Sequence, residues 1–182
     1  MLEKLAFLCE GSNDTLVIKS VVEQLVPNYL LTTIKQQGGI NRLFNGLSHL
    51  APKLIAKGYI VIAIYDEADL AKTKTHFAIE HAKCVLAPAK CKIEAWLLAD
   101  RDAIYGASGF PFPGPFPTDL IEDPKDVFLH HFHRAVRERK RSYIFKERDF
   151  FKATLLCWKL KRARENNISL NKLCERIEHF IA

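Results

Sequence analysis

The sequence has little of what marks several protein classes. Among 182 residues there are one methionine, two tryptophans and eight glycines, and no C-x-x-C pair. Paired thiolate ligands at short spacing are therefore missing, which excludes a zinc ribbon or finger. Five cysteines stand at 9, 84, 91, 157 and 174, an odd number. That usage fits reduced thiols in the cytoplasm rather than a disulfide framework. No apolar run approaches the roughly 18 residues a membrane helix needs, so no membrane partner is expected. The first ten residues, MLEKLAFLCE, hold an early acid and a short apolar stretch. They do not read as a secretory signal, and cytoplasmic localisation is expected. There is no G-x-x-x-x-G-K-[ST] phosphate loop and no G-x-S-x-G elbow, which removes a P-loop NTPase and an acyl-transfer hydrolase. Asp66-Glu67-Ala68-Asp69 spells a helicase tetrapeptide, but without a phosphate loop it is a chance match.

What is present is an ordinary globular composition, 48% hydrophobic and 26% charged, long enough to bury a core without staples. The charge is unevenly spread. Residues 1–133 carry 13 Lys/Arg against 15 Asp/Glu, net −2, and residues 134–182 carry 14 against 6, net +8. A basic end beside a neutral-to-acidic body suggests a polyanionic partner, most commonly nucleic acid, DNA or RNA.

The first ninety residues alternate between strand and helix patterns. Residues 4–9 (KLAFLC) read as a buried strand, and Gly11-Ser12-Asn13-Asp14 turns into a helix carrying Leu16, Val17, Val21, Val22 and Leu25. Asn13 or Asp14 supplies an acceptor for the free N–H groups of its first turn. Residues 29–34 (YLLTTI) read as a second strand, and 40–57 as a helix in which Pro52 is a point of kinking or splitting. Gly58 closes that helix. Residues 59–65 (YIVIAIY) form the clearest strand, apolar throughout, as a central parallel strand is. A helix over 70–82 and a fourth strand over 84–87 follow. This order predicts a three-layer α/β fold with a mostly parallel sheet and helices on both faces. The expected division is a core over 1–105, a Gly/Pro/Phe loop over 106–119, and a basic helical region over 120–182 packed on the core. Residues 93–100, 126–139, 146–164 and 170–181 read as helices. Phe110, Phe112 and Phe116 pack the loop down.

Chemistry in such sheets gathers outside the carboxyl ends of the strands. Two separate strands deliver acids there. Glu10 follows the first, and Asp66 follows the third with Glu67 and Asp69 close behind. Crowded carboxylates repel and rarely persist without a cation or a shared proton. Hard oxygen donors suit Mg²⁺ or Mn²⁺. Helix capping accounts for Asp14 and Asp69, but poorly for Glu10, which comes too early and is not a favoured cap. Glu10 and Asp66 are therefore the expected metal ligands.

These residues also carry a resemblance. Cys9-Glu10-Gly11-Ser12-Asn13-Asp14 resembles the E-G-x-x-D opening of TOPRIM domains. Residues 59–66 with Glu67-Ala68-Asp69 resemble the strand ending in the TOPRIM D-x-D. Residues 93–100, I-E-A-W-L-L-A-D, resemble a stretch of small bacterial TOPRIM-like proteins related to OLD-type nucleases, as do Asp123-Pro124-Lys125 and Tyr143-Ile144-Phe145-Lys146. The resemblance implies metal-dependent phosphodiester hydrolysis on nucleic acid, in a genome-defence or mobile-element setting. It gives catalytic roles to Glu10, Asp66, Glu94 and Lys146, and metal-ligand roles to Glu10, Asp66, Asp69 and Glu94. A partner ATPase and an oligomer are compatible with it. One position departs: the second aspartate of D-x-D falls on Ala68, leaving Asp69 or Glu67 to substitute. That departure motivates an alternative, a non-catalytic module of the same fold binding nucleic acid or a protein partner. A receiver-like phosphoacceptor is a third reading, with only one acid after the first strand where two are wanted.

Arg137, Arg139, Lys140, Arg141 and Lys146, interleaved with Tyr143 and Phe145, form a candidate nucleic-acid grip. His130, His131 and His133 lie in a predicted helix and cannot share one face, so they read as a solvated face rather than a metal site.

Overall fold

Strand formation follows the apolar runs. The computed structural model describes residues 4–28, 30–70, 82–138 and 146–182. The chain divides into two units, Met1–Ala89 with Leu173–Ala182, and Lys90–Lys172. Among the described residues no helix is long and apolar enough to cross a membrane.

The first unit is an α/β sandwich of the expected Rossmann-like class. Strands β1 (Lys4–Cys9), β2 (Thr32–Gln36), β3 (Tyr59–Asp66) and β4 (Cys84–Ala89) form an all-parallel sheet in the order β2-β1-β3-β4. The two central strands are the two most apolar, and Leu5–Cys9 and Ile60–Tyr65 are buried. Both faces of such strands are covered, so apolar residues follow one another without alternation. Ala6, Leu8, Val61, Ala63 and Tyr65 pack against Ile40, Leu43, Phe44, Leu47 and Ala51 of helix α2 (Ile40–Ala56). Leu5, Phe7, Ile60 and Ile62 alternate to the opposite face. Right-handed crossovers running in opposite directions put α1 (Ser12–Leu25) there, with Val17, Ile18 and Val21 buried.

Three details differ from the hydropathy pattern. Strand β2 begins three residues later than the apolar run suggests. Leu30 is buried in a turn whose amide bonds the Pro27 carbonyl, and the strand ends in the polar pair Lys35-Gln36 because it is an edge. Helix α2 runs unbroken through Pro52, with the Ala51 side chain fully buried beside it. The packing of that face outweighs the one backbone hydrogen bond proline removes. The helix expected over 70–82 falls almost wholly outside the described residues; Glu67–Leu70 forms one turn, α3.

The second unit is helical: α4 (Glu94–Leu98), α5 (Arg101–Ser108), a 3₁₀ turn (Thr118–Leu120), α6 (Pro124–Arg137), α7 (Glu147–Cys157) and α8 (Leu160–Glu165), with the start of α9 (Ile168–Ile181). Phe128 packs tilted against Phe150 at 4.8 Å and edge-on to Phe151 at 5.7 Å, and Trp96 and Trp158 are fully buried. Helix α5 runs through Gly106 into the start of the Gly/Pro/Phe segment. A Cβ at 106 would stand 3.1 Å from the Cys157 sulfur, so glycine is what lets α5 approach α7. Phe110 and Phe112 are buried and Phe116 half-buried.

The helix expected over 146–164 is broken after Cys157 by tertiary contacts. The Trp158 indole donates to the Trp96 carbonyl at 3.0 Å. The buried Asp100 carboxylate accepts from the Lys159 amide at 2.7 Å and from Arg162 Nε and Nη2 at 2.9 and 2.8 Å. It also caps α5 through the Ala103 amide. A buried carboxylate is tolerated only when so paired. Asp100→Ala therefore lowers unfolding free energy by about 3 kcal/mol in equilibrium denaturation, and Asp100→Asn, which keeps an acceptor, lowers it less.

His131 on α6 is buried, with Phe112 edge-on at 5.8 Å and with Nδ1 unpartnered among the described residues. Burial, then the charges of His130 and Arg134, hold its pKa below the ordinary 6.5. The folded state thus binds fewer protons than the unfolded one just below that value. Stability falls as pH drops through about 6.5. Denaturant midpoints measured between about pH 7.5 and 5.5 should fall for the native sequence and flatten in His131→Leu.

Candidate active site

Winding reverses between β1 and β3. The chain leaves β1 through α1 toward β2 on one side, and leaves β3 toward β4 on the other. A crevice opens outside the carboxyl ends of strands at such a switch point. The residues delivered there are Glu10 and Gly11, following β1, and Asp66, the last residue of β3.

The backbone of Glu10 is pinned from the β2 side. Its carbonyl accepts from the amides of Gly38 at 2.8 Å and Gly39 at 3.1 Å, while Cys9 O accepts from Gln37 at 2.9 Å. Two successive amides converge on one carbonyl because Gly38 and Gly39 take φ of +85° and +115°, open to glycine alone without strain. The Glu10 side chain crosses to the other central strand, where Oε1 accepts from the Asp66 amide at 3.1 Å. The Glu10 carboxylate thus reaches the backbone of Asp66, 56 residues away.

Asp14, a helix cap by its position in the sequence, joins Glu10 at this end of the sheet. Its carboxylate does turn back to the Gly11 amide at 2.7 Å, at the start of α1. Burial raises its pKa; the hydrogen bonds to the Gly11 and neighbouring amides oppose this, and the charge of Asp69 adds to the rise. Asp69 thus stands in the same electrostatic neighbourhood, on the turn that follows Asp66. Burial, opposed by the contact with Thr15 and aided by the charges of Asp14 and Glu10, pushes the Cys9 thiol up to about 11. Cys9 is a buried core thiol. The signal for Asp14 was its place one helical turn beyond Glu10, which periodicity alone assigns to capping.

Gly11 itself is not demanded by the fold. Its φ of −124° suits any residue, and an added Cβ would meet only the Asp14 carboxylate at 3.7 Å. Ala68, where D-x-D would place its second aspartate, is exposed. Among the described residues, no three His, Cys, Asp or Glu side chains gather into a group that could hold a metal ion.

The remaining expected residues lie in the second unit or outside the described residues. Glu94 is buried, 6% exposed, in the first turn of α4, where the helix dipole favours a carboxylate. Lys146 is exposed at the N-cap of α7, its amide bonded to Asp149 at 3.1 Å. Arg137 is exposed and lies 3.7 Å from Glu138. Arg139, Lys140, Arg141, Tyr143 and Phe145 lie outside the described residues. Among the three histidines, His130 and His133 are exposed and only His131 is buried.

The raised pKa of Asp14 has a signed consequence. The folded state holds this proton more tightly than the unfolded one, so the fold loses stability as pH rises above the ordinary 3.8. Asp14→Asn, which keeps the acceptor for Gly11, should raise the thermal midpoint at neutral pH in EDTA. A lowered midpoint would contradict the electrostatic crowding described above. No family profile, curated protein or solved structure matches this chain.

Proposed function

We propose that the carboxyl edge of the first unit is a TOPRIM-type site for Mg²⁺- or Mn²⁺-dependent hydrolysis of a nucleic-acid phosphodiester. The observation that carries this reading is the Glu10 carboxylate bonded to the Asp66 amide across the switch point, with the Asp14 carboxylate turned to the Gly11 amide next to Glu10. The donor chemistry fits the ion: all are hard oxygens, and Mg²⁺ keeps most of its waters while taking one or two protein carboxylates. A pair suffices where no triad is preformed. Glu10 and Asp66 would hold the ion, with Asp69 in the place that Ala68 leaves vacant.

The ion, when bound, polarises a phosphoryl oxygen and lowers the pKa of a coordinated water. The chain supplies the rest. Glu10, fixed at its backbone by Gly38 and Gly39, is positioned to hold or move a proton of the attacking water. Gly11 leaves the backbone beside it open to a phosphate, which explains a glycine the fold does not require. The reading places the protein in a reducing cytoplasm, which five free cysteines suit, and in a genome-defence or mobile-element setting.

Glu10→Gln keeps an acceptor for the Asp66 amide and removes the base. It should leave the thermal midpoint unchanged and cut metal-dependent cleavage at least ~100-fold across a panel of single- and double-stranded DNA and RNA. Undiminished cleavage in that variant overturns the assignment. The exposed Ala68 and the lack of a gathered acidic triad among the described residues favour a second reading, a non-catalytic module of the same fold. Titration calorimetry with Mn²⁺ separates the two: heat in the millimolar range supports the enzyme, and its absence together with absent cleavage supports the module.

A further inference from the structure

We propose that the outer face of α7, continued into α8, is a binding surface for single-stranded nucleic acid, with Arg148, Lys152, Lys159 and Lys161 on the phosphates and Tyr105 as a stacking platform. The proposal rests on the reading of the protein as a nucleic-acid enzyme and names the form of its substrate, an unpaired strand.

Residues 146–172 carry eight Lys/Arg against three Asp/Glu, net +5, and no acid occurs from 150 to 164. The two acids at the start of α7, Glu147 and Asp149, lie in its first turn, where they favour the helix dipole, and Asp149 is taken up by the Lys146 amide. They do not neutralise the cations further along. Arg162 is committed to Asp100 and, at 3.5 Å, to Asp102 of α5. Arg148, Lys152, Lys159 and Lys161 are all exposed, and none makes an ion pair among the described residues. Cations outnumber acids on this surface, where the exposed Asp102 of α5 lies 3.5 Å from Arg162 and Glu165 shares a cleft with Lys161.

The inner face of α7 is spent on the core through Phe150, Phe151, Ala153 and Thr154. The outer face therefore runs Arg148, Lys152, Leu156, one helical turn apart at about 6 Å. Leu156 is 85% exposed, the most exposed of the large apolar side chains described, and Tyr105 on α5 is 55% exposed. Each adjoins the point where α5 and α7 cross, Gly106 against Cys157. An exposed ring on α5 and an exposed aliphatic side chain on the cation-bearing α7 suit a strand whose bases are free to stack. A duplex hides its base faces and offers only phosphate to such a surface.

The test uses the full chain in EDTA, so that no cleavage is needed, with fluorescein-labelled oligo(dT), a duplex of equal length, and vesicles of anionic phospholipid. Fluorescence anisotropy should show oligo(dT) bound more tightly than the duplex, with affinity falling steeply with salt. Arg148→Glu/Lys152→Glu should weaken oligo(dT) binding at least ~10-fold and lessen the log–log salt slope by about 1.4. Tyr105→Ala should weaken it roughly fivefold or more with the slope unchanged. Lys53→Glu, an exposed charge reversal on α2, should do neither, and circular dichroism checks that every variant is folded. Equal or tighter duplex binding, an unchanged affinity in the double variant, or capture by vesicles but not by oligo(dT) overturns the proposal. Strand binding that persists while metal brings no cleavage sustains this surface and removes the nuclease reading instead.

Discussion

The hydrogen bond from the Asp66 amide to the Glu10 carboxylate joins the ends of the two central strands where the winding of the sheet reverses. Its geometry depends on β1 and β3 being neighbours. That in turn depends on β2 being carried to the outside by α1, and on α2 returning across the opposite face. The burial of Ala6, Leu8, Val61 and Ala63 under α2 holds those strands in register. A slip by one residue would exchange these small side chains for the larger Leu5, Phe7, Ile60 and Ile62 under α2. The acids are thus placed by the core and not by one another; left to themselves they would separate.

The second unit is organised around buried polar groups. Asp100 ties α5 to Lys159 and Arg162. Asn167 and Asp119 cap α9 through the amides of Leu170 and Ser169, and the Thr118 hydroxyl bonds the Ala95 carbonyl. Trp96 donates to Ser169 while its carbonyl accepts from Trp158. The stretch 93–100, the most specific part of the resemblance, is therefore a structural hub in this unit: Glu94 through Leu98 are all buried. Such satisfied networks fix one packing, since each buried group left unpaired would cost about 1–3 kcal/mol.

Hydropathy located all four strands, because parallel central strands need unbroken apolar runs, and it placed Glu10 and Asp66 at the same edge. It failed where side-chain chemistry from distant residues intervened. The break after Cys157 is set by Asp100 and Trp96, roughly sixty residues earlier, which no local pattern reports. Pro52 marks a helix break by every local rule, yet packing on the sheet carries the helix through. Asp14 looks like a cap and is one, but its burial beside Asp69 gives it a second character that follows only from the fold.

By itself the sequence determined the alternation of strand and helix, the parallel sheet that alternation requires, and the concentration of positive charge in the last quarter of the chain. These follow from periodicity and composition, which are local properties. Tertiary structure decided which acids share a neighbourhood, where the C-terminal helices break, and which cations face solvent without a counter-charge. Those depend on distances between residues far apart in the chain, and the desolvation and charge coupling that act over such distances leave no periodic trace.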